Sequence, residues 1–142
     1  MAQVDWDERM NIGEERIDEQ HRELVAIIND IGLAAERGAG RKELGGLIRA
    51  FCDYAQVHFR TEESFLKVAD YPEYFQQVGE HENCSTRALA FYRAYINGED
   101  VLIEDFLSFV STWFVEHTLG VDQSLRAYLQ KKATAKPGSA RL

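Results

Sequence analysis

The sequence predicts an all-α protein, an antiparallel up-down-up-down four-helix bundle with an N-terminal arm and a short C-terminal fifth helix. Three observations carry this. Apolar residues recur at three- and four-residue steps in four long segments, breakers separate those segments by only a few residues, and no alternating strands joined by an Asn-Gly hairpin turn appear. Short connections between long helices favour antiparallel neighbours.

The elements follow in order. From Ile17 to about Arg37, Leu24, Val25, Ile28, Ile31 and Ala35 form the first apolar stripe, opening behind Asp18 and closing at Gly38-Ala39-Gly40. The second helix spans about Arg41 to Val68. Its inward face reads Leu44, Leu47, Ile48, Phe51, Ala55, His58, Phe59, Glu62 and Leu66, and Asp70-Tyr71-Pro72 ends it. A third runs from about Glu73 to Ile96 and stops at Asn97-Gly98. The fourth covers about Leu102 to Thr118 with Phe106, Phe109, Val110, Trp113 and His117 facing inward. A short segment after Gly120 is the fifth. Residues 1–132 make one domain, and 133–142, rich in Ala, Lys, Gly and Ser, read as a flexible tail.

Composition narrows the function classes. With 142 residues, 45% apolar content and a net charge of −8, the chain can bury one core and offers phosphate little to bind. Its one basic cluster is Lys131, Lys132, Lys136 and Arg141, so no nucleic-acid partner is expected. No apolar run reaches the length of a membrane span, and the N-terminus has no signal-like apolar core, so no membrane partner and a cytoplasmic location are expected, as a monomer. Cys52 and Cys84 stand alone in helical patterns and read as small core residues.

The chemistry resides in four histidines, His21, His58, His81 and His117, one on each helix. A bundle brings such side chains to a common depth, and imidazole suits zinc, copper and iron. His58 and Glu62, four apart, point from one helical face, and among Phe59, Phe65 and Leu66 the carboxylate needs a buried cation or a proton. His117 and Asp122, five apart, lie about 140° out of line on a regular helix. Two readings stand here. Gly120 supplies an irregular turn that returns Asp122 to the site, or Asp122 caps the last helix. Two carboxylates with several imidazoles suit two irons better than one zinc, and the paired Glu-x-x-His and the His-Glu-x-x-His motifs are both missing.

In order along the chain, Val4-x-Trp6, Ile12-Gly13, Ile17-Asp18-x-x-His21-x-x-Leu24, His58-Phe59-x-x-Glu62, Tyr71-Pro72, Glu80-His81 and His117-x-x-x-x-Asp122 resemble the bacterial hemerythrin pattern over residues 4 to about 129. That resemblance implies two non-haem irons with an oxo or hydroxo bridge, binding dioxygen for carriage, storage or sensing. It assigns His21 and His58 to one iron, His81 and His117 to the other, and Glu62 and Asp122 as bridging carboxylates. It places Leu24, Phe59, Trp113 and Leu119 around the ligand pocket, and Trp6 on the arm.

One position departs from the pattern. The family's His-x-x-x-His begins five residues after the proline, where this chain has Gln77, with His81 following. Gln77 adds a weak carbonyl donor, leaves room for water, or is tolerated drift. An open position at that iron implies faster autoxidation of a carrier, with an oxidase, a peroxidase or a nitric-oxide-handling protein as the alternative function.

Overall fold

A computed structural model describes residues 3–140, with side chains described through Thr134. Helix α1 spans Glu15–Glu36, α2 Arg41–Val68, α3 Tyr74–Ile96 and α4 Ile103–Glu116. One turn of π-helix, His117–Val121, joins α4 to α5, Asp122–Ala140. No strand occurs among the described residues.

Local chemistry sets the boundaries. The Glu14 carboxylate, not Asp18, caps α1 by accepting from the Arg16 and Ile17 N–H groups. Asp18 lies inside the helix and accepts from the Ile12 and Gly13 N–H groups at 2.7 and 3.1 Å, tying down the arm. The α1–α2 turn needs Gly38 at φ 78°, and α2 ends where Asp70 takes φ 56° ahead of Pro72. On the arm, Val4 is held at both backbone groups by Asn29, and Arg22 covers the half-buried Trp6 ring.

Two hydrophobic clusters flank a polar layer. The larger contains Leu24, Ile28, Phe51, Phe59, Cys84, Phe106 and Phe114, and the smaller Ile12, Ile17, Leu66, Tyr71 and Leu125. Along α1 the order is small cluster, His21, large cluster. Along α2 it reverses, along α3 it reverts, and from α4 into α5 it reverses again. The alternation is the up-down-up-down bundle, with the histidines at one depth.

Two expectations need correction. The inward face of α4 is Phe106, Leu107, Val110 and Phe114, while Phe109 and Trp113 are only partly buried. A shift of one position along the helix rotates the stripe about 100°, and an aromatic-rich segment leaves that choice open to periodicity. The fifth helix is not short. It extends 19 residues, into the 133–142 segment; up to Pro137 the strong helix formers Ala, Leu, Gln and Lys and the lack of a breaker after Gly120 account for it.

Candidate metal centre

Seven polar side chains meet between the clusters, each at most 3% exposed: His21, His58, Glu62, Gln77, His81, His117 and Asp122. All seven sequence-predicted candidates are therefore brought together. Glu62 is at the centre, with Oε2 3.3 Å from His58 Nε2 and 3.5 Å from His21 Nε2. Its Oε1 lies 3.1 Å from His81 Nε2 and 3.9 Å from His117 Nε2. Asp122 divides in the same sense, Oδ2 lying 3.6 Å from His21 Nε2 and Oδ1 3.3 Å from His117 Nε2. Each carboxylate thus turns one oxygen to His21 and the other to the His81/His117 side.

The π turn delivers Asp122. Its N–H bonds the His117 carbonyl five residues back, the wide turn absorbing the angle that a regular helix would leave. That pairing deprives the Thr118 carbonyl of its usual partner, and the Gln123 side-chain amide donates to it at 2.9 Å. The irregular-turn reading of Gly120 is the one observed, and Asp122 faces the site with no exposure.

The outward ring nitrogens are held by residues the sequence reading did not assign. Gln20 Oε1 faces His58 Nδ1 at 2.9 Å, Glu63 faces His81 Nδ1 at 2.8 Å and Glu80 faces His117 Nδ1 at 2.7 Å. Each sits beside a site residue, Gln20 on α1, Glu63 on α2 and Glu80 on α3, and that adjacency was the available signal. Among the described residues His21 Nδ1 has no hydrogen-bond partner, and its ring packs T-shaped against Phe114. Phe59 stacks on His81 at 4.2 Å and Trp113 on His117 at 4.5 Å. Leu24 and Leu119 pack in the larger cluster.

Charge in the site is strongly coupled. Burial raises the Glu62 pKa, but the four imidazoles that face the carboxylate outweigh it and hold the carboxyl well below its ordinary range. Burial lowers His21, His81 and His117, yet the facing carboxylates prevail and raise all three, His117 most. At His58 burial wins and the pKa falls. Among the described residues, six buried atoms of these side chains lack a hydrogen-bond partner: His21 Nδ1 and Nε2, Glu62 Oε2, Gln77 Oε1, His117 Nε2 and Asp122 Oδ2. An orphaned buried polar atom costs about 1–3 kcal/mol, so a cluster of them calls for a binding partner. Ligand atoms of His21, His58 and Glu62, and of Glu62, His81 and His117, form two groups within 4.8 Å. The donors fit a pair of cations.

The fold and site define a four-helix bundle built to hold cations in a histidine- and carboxylate-lined core. Residues 13–129 match the hemerythrin HHE cation binding domain, and the chain belongs to the hemerythrin family. It is similar to bacteriohemerythrins from Stenotrophomonas maltophilia (30% identical, covering 87% of this chain and 80% of that protein) and Clostridium acetobutylicum (30%, 83% and 95%). A crystal structure of a hemerythrin single-residue mutant superposes with a TM-score of 0.84 at 25% identity, covering 91% of this chain and 98% of that one. A wild-type hemerythrin structure gives 0.75 at 26%, covering 81% and 88%. The family resemblance read from the motifs is borne out.

Proposed function

We propose that this protein binds dioxygen at a pair of non-haem irons in the bundle core, with His21 and His58 on one iron, His81 and His117 on the other, and Glu62 and Asp122 bridging. The observation that carries the reading is the division of both carboxylates between two sides of the site. One zinc in a closed structural site needs four tetrahedral ligands and has no use for two shared carboxylates.

An iron pair bound there would supply the electrons needed to hold dioxygen. The chain's own residues hold the donors in place and exclude water. Gln20, Glu63 and Glu80 fix which ring nitrogen carries the proton, turning each Nε2 lone pair inward. The two apolar clusters close the layer above and below, and Phe59 and Trp113 shield the His81/His117 side. Leu24, Phe59, Trp113 and Leu119 form the ligand pocket in this reading.

Gln77 favours a second reading, an oxidase, peroxidase or nitric-oxide-handling activity. Its Nε2 donates to Asp122 Oδ1 at 3.0 Å and its oxygen is free, so it contributes a weak donor where a third nitrogen would saturate the metal. Anaerobic loading with Fe2+ followed by air, watched by optical absorption, tests the main reading. About two irons per chain and a dioxygen-dependent band are expected, while less than about one iron sinks it. Sustained turnover of added peroxide with a reductant would favour the second.

A further inference from the structure

The outward hydrogen bonds divide the site unequally. Among the described residues, His81 and His117 are each backed by a carboxylate, His58 by a neutral amide oxygen, and His21 by no hydrogen-bond acceptor. The better-backed pair is the one beside Gln77. Gln77 provides at most an amide oxygen, and its N–H group occupies Asp122 Oδ1, the oxygen that faces His117. A cation between His81 and His117 therefore has two nitrogen donors, as many as at the other subsite and one fewer than the pattern with histidine at position 77 would give, and it competes with a hydrogen bond for a bridging oxygen.

We propose that Glu63 and Glu80 are positioning residues that compensate for Gln77, strengthening cation binding at the His81/His117 subsite through the two imidazoles. The inference rests on the two-metal reading above. A carboxylate on the far nitrogen raises the donor strength of an imidazole, and such partners change metal affinity by about 10- to 100-fold. Four carboxylates, Glu62, Asp122, Glu63 and Glu80, then lie around that subsite, against the two bridging ones at the other. Both outer groups reach the surface. Glu63 is 25% exposed at the wall of a 350 Å³ pocket and Glu80 33% exposed at the wall of a 430 Å³ pocket. Substitution there leaves the apolar clusters untouched.

Glutamine separates charge from geometry, since its amide oxygen still accepts from an Nδ1–H. Metal-free protein is titrated with Co2+, following visible absorption for ligand field and native mass spectrometry for stoichiometry. The panel is the unaltered chain, Glu63→Gln, Glu80→Gln, and each of these combined with Gln77→His; His58→Ala marks the equivalent bound at the other subsite. Circular dichroism confirms that each variant keeps its helix content. Two equivalents are expected in the unaltered chain. Glu63→Gln and Glu80→Gln should each weaken one of them by about tenfold or more while sparing the other. Gln77→His should restore the lost affinity. Equal weakening of both equivalents, no weakening, or no rescue overturns the inference and leaves the two-metal reading standing. Fewer than two equivalents in the unaltered chain overturns both.

Discussion

Gln77 stands where the resemblance to the bacterial hemerythrin pattern expects a histidine, and it makes the sharpest prediction at that scale. It is fully buried, donates to Asp122 and has an orphaned oxygen. Gln77→His replaces a weak oxygen donor with a nitrogen and releases Asp122 Oδ1. The iron-loaded variant should hold its dioxygen complex longer, with autoxidation slowed severalfold, on the order of 1 kcal/mol in the barrier. Decay of the visible band after mixing with air measures this, and equal decay rates would refute the argument. The histidines and Glu62 were legible because imidazoles on all four helices, and a carboxylate four residues from one, are rare in an apolar stripe. Gln20, Glu63 and Glu80 were not. Taken one at a time, a polar residue at a helix surface has an ordinary solvated explanation, and only the folded geometry shows each one pointing at a neighbouring helix.

Helices were legible wherever a breaker and a stripe agreed. α2 runs Arg41–Val68 as its pattern predicts, because Gly40 and the Asp70-Tyr71-Pro72 turn leave little choice at either end. The π turn was only half legible. Five-residue spacing demanded an irregularity near Gly120, but nothing in the pattern distinguished a wide turn from a helix end. Because a wide turn is equivalent to one inserted residue, the two indel directions should differ. Deleting Gly120 puts His117 and Asp122 four apart, the spacing that already works for His58 and Glu62, and two-metal binding should survive. Inserting an alanine after Gly120 rotates Asp122 and Leu125 by about 100°, taking one from the site and the other from the smaller cluster. Metal stoichiometry below two and a lowered thermal midpoint are expected for the insertion, and equal tolerance of both changes would show that the turn does not set the register.

For the whole molecule, the proposed metal centre sets protons and metal in competition for the same buried groups. Without metal, Glu62 has its pKa lowered from 4.5, so its stabilising contribution is present above that value and lost as pH falls. His21, His81 and His117 have theirs raised from 6.5, so their contribution is complete below 6.5 and is lost as pH rises. His58, lowered by burial, acts in the opposite sense, one against three. The metal-free chain should therefore be most stable between about pH 4.5 and 6.5 and weaken above that window. Metal binding runs the other way, since a ligating imidazole must be neutral and each proton released favours loading at higher pH. At a free metal concentration 100 times Kd, loading adds about 2.7 kcal/mol. At roughly 3 °C per kcal/mol for a domain of this size, that is about 8 °C in the thermal midpoint. The gap between loaded and metal-free midpoints, measured at fixed total metal, should widen from pH 6 to pH 8. A constant or narrowing gap would mean that the buried imidazoles are not charged in the metal-free fold, and the carboxylate–imidazole network would then owe its geometry to packing alone.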